Sequence, residues 1–189
     1  MLPLEIVAVV FGLLCVVLTV KLSVWCWPAG LIQVTLYIAI FIDARLYSDV
    51  GLHVIYVGLN VYGWWRWAVG RPVGSPLPVR RAGRGPGVAW LAAAAVATAA
   101  LGNSMQTYTD ADLPYWDAAI AVFSLVAQYA MTGKVLESWL VWVAVDVLAI
   151  GVYASKGLYL TAGLYGVFLG LAVTGYFVWR RSLPRPAPG

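Results

Sequence analysis

Long apolar runs, broken by short polar or glycine- and proline-containing stretches, dominate this chain. A helix crossing the hydrocarbon of a bilayer needs roughly 17–25 mostly apolar residues. Seven segments meet that requirement, at about 3–20, 25–42, 46–67, 88–107, 115–132, 136–154 and 157–179. The fourth is the weakest, because its apolar part, Val88 to Leu101, is short and Ala-rich before Gly102, Asn103 and Ser104. The pattern predicts an all-α integral membrane protein with seven transmembrane helices.

Composition agrees. Hydrophobic residues make up 62% of the 189 and charged residues 11%, against averages of about 45–50% and 25%. A soluble domain of this length could not bury so much apolar surface, and the chain is too apolar to be disordered. A polytopic chain with one membrane domain is expected.

Charge sets the orientation. The net charge is +4, and in a membrane protein it reports topology rather than a nucleic-acid partner. With seven spans, one side receives Lys21, Arg66, Arg71, Arg80, Arg81, Arg84, Lys134, Arg180, Arg181 and Arg185, and the other only Arg45 and Lys156. Without the fourth span the split would be seven against five. The positive-inside rule favours the uneven solution. The N-terminus is expected outside and the C-terminus inside. The first span has Glu5 and no basic residue ahead of it, which argues for an uncleaved helix. Gly70–Gly87 is expected as a cytoplasmic loop, and Leu183–Gly189 as a short tail.

The halves resemble each other. Leu46–Leu52 resembles Val152–Leu158 at an offset of 106, and both lie near spans ending in Gly63-Trp64-Trp65-Arg66-Trp67 and Gly175-Tyr176-Phe177-Val178-Trp179. Three helices, one linker helix and three more would make the halves parallel, a known way of building a transporter around a midplane site. The expected organisation is a first bundle at 1–67, a loop at 68–87, a linker helix and outer loop at 88–112, a second bundle at 113–181 and a tail at 182–189.

One stretch stands out chemically. Trp139, Trp142 and Asp146 are three and four residues apart and share a helix face. Asp146 falls near the middle of its span, where an ionisable group is costly unless it faces protein, water or a partner. An aromatic wall with a carboxylate suits a cationic aromatic ligand; the plainer alternative is a structural Asp with interfacial tryptophans. Asn60, Gln128 and Gln33 are amides inside spans, able to meet a ligand or tie helices together. Ser124 lies one turn before Gln128 and could share that role or bond its own backbone. Trp64, in the cluster ending span three, is a further candidate, whereas Trp65 and Trp67 read as an interfacial belt. Trp25 and Trp27 likewise mark an interface, with Pro28 as a helix-start signal. Gly166 and Gly170 form a GxxxG pattern for packing within or between chains.

The remaining polar residues have plainer expectations. His53 reads as structural, and Asp49, Asp117 and Glu137 as helix-start carboxylates. Cys15 and Cys26 lack a CxxC or Cys/His partner nearby, so neither a disulfide scaffold nor a metal site is expected. There is no GxxxxGK[ST] loop, HExxH or GxSxG, so no cofactor and no enzyme activity are expected.

Trp27-Pro28-Ala29-Gly30, Leu46-Tyr47-Ser48-Asp49, Asn60 through Trp67, Trp116-Asp117, Ser124 through Gln128, Glu137 through Trp142 with Asp146, and Lys156-Gly157-Leu158-Tyr159 occur in this order. Together they resemble the PnuC family of bacterial vitamin transporters, and they cover most of the chain. The resemblance implies a SWEET-like 3+1+3 fold, a homotrimer in the lipid of the bacterial inner membrane, and one midplane site. It also implies facilitated diffusion of nicotinamide riboside, with relatives for thiamine and riboflavin, and trapping by a cytoplasmic kinase. In that family a tryptophan pair followed by Asn or Asp is a ligand-binding signature. Some nicotinamide riboside transporters carry Asn where this chain has Asp146. A carboxylate suits the cationic rings of nicotinamide riboside and thiamine, and suits neutral riboflavin less. A membrane enzyme using Asp146 as a base, or a structural subunit, are the readings from other classes.

Overall fold

The computed structural model describes residues 2–43, 45, 47–69, 77–110 and 112–184. It contains seven helices: α1 (Leu2–Val20), α2 (Cys26–Asp43), α3 (Tyr47–Ala68), α4 (Arg84–Tyr108), α5 (Pro114–Thr132), α6 (Ser138–Ser155) and α7 (Tyr159–Arg181). Each expected span is a helix, and the ends differ by no more than two residues except at α4. That helix begins at Arg84, taking up the end of the expected loop. Pro86 is tolerated there because the first turn needs no N–H donor from it. Leu46, residues 70–76 with Arg71, and the tail beyond 184 with Arg185 lie outside the described residues.

Helices α1, α2 and α3 pack in sequence, as do α5, α6 and α7, while α4 touches α5 alone among the helices. The two bundles meet through α1 against α7 and α3 against α5. Five of the helices, α1, α2, α4, α6 and α7, are apolar enough to cross a membrane by themselves. The other two, α3 and α5, carry Asn60 and Arg66, and Asp117 and Gln128. They can be polar because each turns one face to the other across the centre of the protein, while the outer face of α3 carries exposed Val54, Ile55 and Val61.

The structure corrects the register of the internal repeat. Leu2 and Pro114, Cys26 and Ser138, and Tyr47 and Tyr159 open equivalent helices, each pair 112 residues apart. The offset of 106 aligned the start of α3 with the end of α6 and is a local coincidence of sequence. Backbone strain obeys the new register. Leu22 (φ 57°) pairs with Lys134 (φ 49°), and Arg45 (φ 58°) with Gly157 (φ 75°). These left-handed residues make the same sharp turns in each half.

The bundles also exchange matching bonds. The Trp67 indole donates to the Thr132 carbonyl at 3.1 Å, and the Trp179 indole to the Thr19 carbonyl at 3.1 Å. The donors are mates at the 112-residue register and the acceptors fall one residue out of step, so the two-fold relation between the parallel repeats is approximate here. Trp67 is therefore an inter-bundle residue, not part of an interfacial belt. Trp65, 56% exposed, does face outward.

Residues 77–83 form a strap across the turn between α5 and α6. The Arg80 N–H donates to the Lys134 carbonyl at 3.0 Å, and the Leu136 N–H to the Arg80 carbonyl at 2.8 Å. Val79 is buried in the same apolar cluster as Leu136, Trp139 and Trp179. Glu137 does precede α6, but its carboxylate accepts from the Ala82 N–H at 2.7 Å rather than capping the helix. Asp117 instead pairs with Lys156 at 3.0 Å. Gly166 and Gly170 have open space where a Cβ would lie, so the GxxxG pattern packs no helix of this chain.

Candidate functional site

A cavity of about 720 Å³ lies between the two bundles, within the roughly 300–1,000 Å³ usual for small-molecule sites. The structure brings seven of the eight expected residues to its wall: Trp139, Trp142, Asp146, Asn60, Gln128, Gln33 and Ser124. Trp64 is the exception. It does not line the cavity and is 41% exposed on the outside of α3. Trp64 lies one turn after Asn60 on a similar face, but the cavity wall does not extend that far along α3, where Trp27 packs against Gly63.

Asp146 is 3% exposed and in the cavity wall. It has no ion-pair partner among the described residues, where the single salt bridge is Lys156–Asp117, elsewhere. A carboxylate so placed attracts a cation entering the cavity. Trp139 and Trp142 stand on the same face of α6 and supply aromatic surface beside it.

The opposing wall is built on glycine. An ideal Cβ on Gly30 would stand 2.5 Å from the Asn60 side-chain oxygen, and one on Gly12 would stand 2.7 Å from the Gln33 amide nitrogen. Only the missing side chains of α1 and α2 leave room for the two amides. Asn60 donates to its own helix at the Tyr56 carbonyl (2.8 Å), leaving its Oδ1 buried without a partner among the described residues.

The repeat explains the asymmetry. At the 112-residue register Gly30 corresponds to Trp142, Asn60 to Ala172, Val34 to Asp146, Gly12 to Ser124 and Val16 to Gln128. Gly30 beside Asn60 in one half becomes Trp142 beside Ala172 in the other, so at that place the sizes are reversed. The scaffold is symmetric and the wall is not: the first bundle brings Gln33, Asn60 and Trp27, and the second brings Gln128, Trp139, Trp142 and the one midspan carboxylate, Asp146.

Sequence reasoning missed two kinds of wall residue. Trp27, read as an interface marker, is 2% exposed and lines the cavity. Its signal was the correct register, in which it is the mate of Trp139. His53 also lines the cavity. Its Nδ1 lies 2.9 Å from the Asp49 carbonyl, and its ring packs on Phe41 with centroids 4.9 Å apart. Cys15 and Cys26 are free and line the same space. Among the described residues no group of three His, Cys, Asp or Glu could hold a metal.

Paired parallel bundles with a partly polar central cavity define a multi-pass membrane protein of the transporter class. The chain belongs to the nicotinamide mononucleotide transporter family, whose profile matches residues 2–181. It is 29% identical to the nicotinamide riboside transporter PnuC of Escherichia coli, over 94% of this chain and 85% of that one. It is 26% identical to the riboflavin/roseoflavin transporter RibM of Streptomyces davaonensis, over 93% and 83% of the two chains. The fold superposes on the crystal structure of the vitamin B3 transporter PnuC with a TM-score of 0.76 at 27% identity, covering 95% of this chain and 81% of that one. The protein is a vitamin transporter of this family, not an enzyme.

Proposed function

We propose that this chain takes up nicotinamide riboside through the central cavity by facilitated diffusion. The observation that carries the reading is the stripe of Trp139, Trp142 and Asp146 on the cavity wall. A cationic nicotinamide ring is attracted to indole faces, and the Asp146 carboxylate supplies its counter-charge. Asn60, Gln33, Gln128 and Ser124 offer donors and acceptors for a carboxamide and ribose hydroxyls. Relatives named as nicotinamide riboside transporters support this choice.

The chain sits in the bacterial inner membrane with its N-terminus outside and C-terminus inside, because that orientation places ten of twelve basic residues in the cytoplasm. It works as a homotrimer. A cytoplasmic kinase phosphorylates the vitamin and traps it, which gives downhill flux its direction.

A second reading is favoured by one relative: riboflavin, which RibM is named for carrying. Its neutral ring would leave Asp146 without a counter-charge. Calorimetry on the purified protein decides between them. Nicotinamide riboside should bind, with thiamine and riboflavin silent, and Asp146→Asn should weaken binding by roughly tenfold. Riboflavin or thiamine binding alone would replace the substrate. Uptake that follows an imposed pH gradient would sink facilitated diffusion.

A further inference from the structure

We propose that Trp27, Trp67, Trp139 and Trp179 form the gate that a substrate must part to leave the cavity on the strap side. The inference rests on the chain being a transporter and is indifferent to which vitamin it carries.

The four indoles form one tier built twice. Trp27 meets Trp67 edge to face, with centroids 5.3 Å apart and planes at 85°. Trp139 meets Trp179 in the same way, at 5.4 Å and 87°. Trp67 and Trp179 then touch each other at 6.0 Å, one from each bundle. Glycine sets the fit in both halves. An ideal Cβ on Gly175 would stand 2.6 Å from the Trp139 ring, and one on Gly63 would collide with Trp27.

The tier closes one end of the cavity. Trp27 and Trp139 line it, while Trp67 and Trp179 lie behind them and do not. Beyond the tier Thr132, Leu136, Val79 and Lys134 are all buried. At the opposite end the wall is formed by Asp49, Asp117 and Thr161, which are all partly exposed. A solute can therefore enter at that end and must displace indoles to leave at the other.

The closed tier holds two unanswered donors. The indole N–H groups of Trp27 and Trp139 are buried without a partner among the described residues. Buried donors of this kind raise the energy of the state that seals them. Parting the rings would let water or a solute reach both, which narrows the gap to the open arrangement. A tier with good packing and two unpaired donors is suited to two positions. The strap is seated on it, since Val79 packs in the cluster that contains Trp139 and Trp179.

Cys26 is a built-in reporter, being buried beside Trp27 and lining the cavity. In vesicles holding the full chain with Cys15→Ser, a membrane-impermeant thiol reagent is applied from the strap side. Trp67→Ala with Trp179→Ala should raise the rate of Cys26 modification at least roughly tenfold, with the corresponding Phe pair in between. Trp67→Cys with Trp179→Cys, in a background of Cys15→Ser and Cys26→Ser, is then bridged by a short reductant-cleavable thiol cross-linker. Bridging should abolish uptake while binding from the far side persists, and reductant should restore uptake. An unchanged modification rate in the folded Phe pair and Ala pair, or full uptake through the bridged protein, would overturn the gate. If the parent carries no vitamin offered, the substrate reading fails and the thiol rates still judge the gate.

Discussion

Asn60 has the nitrogen of its amide bonded to its own helix and the oxygen buried without a partner among the described residues. It is kept in place by Gly30, whose missing side chain leaves the space the amide fills. Gly30→Ala should push the amide aside without harming α2, because Ala is a better helix former than Gly by about 1 kcal/mol. Substrate affinity should fall by about tenfold, or 1.4 kcal/mol, while the melting temperature changes little, because the helix gain offsets the crowding of the new Cβ against Asn60 and Cys15. Calorimetry and thermal unfolding on the same sample check this, and unchanged affinity would remove Asn60 from the site. Trp64 gives the opposite lesson. The sequence placed it among aromatic residues of the right kind and one turn after Asn60 on a similar face, and only the packing of the helices shows that the cavity wall does not reach it.

At the scale of elements, the seven helices were legible because each span must be nearly all apolar to sit in lipid. The weakest span, α4, was recovered from the charge balance, which is ten against two with it and seven against five without it, and the apolar pattern also found α3 and α5, the two most polar by hydropathy. Their polarity has a cause at the next level, since they line the cavity. The turns carry a prediction of their own. Gly157 and Arg45 occupy the same left-handed turn in the two halves, at φ 75° and 58°. Gly157→Ala should cost about 1 kcal/mol, because a side chain disfavours that conformation. Arg45→Gly should gain a similar amount. For a chain of this size that is roughly 2–4 °C in opposite directions, readable by thermal unfolding in detergent. Equal effects of both substitutions would contradict the equivalence of the turns.

Across the whole molecule, two bundles are held together by contacts that reciprocate. The indoles of Trp67 and Trp179 each bond a carbonyl of the other bundle. Trp67→Phe and Trp179→Phe should each lose about 1–3 kcal/mol, from the hydrogen bond and the smaller ring. The two losses should be similar, as measured by chemical denaturation. If one substitution cost nothing, the halves would not share the load. The Lys156–Asp117 pair at the open end is a different case. Its side chains are 27% and 28% exposed, so Asp117→Asn should cost less than about 1 kcal/mol. Lys134, in the turn under the strap, has its ammonium pushed below the usual lysine range by burial. It lies 4.2 Å from the centre of the Trp67 ring, which offsets part of that cost.

The sequence alone determined the membrane class, the seven helices and the face shared by Trp139, Trp142 and Asp146. Each of these follows from local physics: the length of hydrocarbon to be crossed, the cost of polar groups in it, and the helical period of 3.6 residues. Only the tertiary structure decided the 112-residue register, the place of Trp27 and Trp67, and which glycines make room for which amides. Those depend on how helices distant in the chain meet across the molecule. A short stretch of similar letters can match at the wrong offset, but a turn, a ring and the glycine it rests on recur together only where the fold repeats.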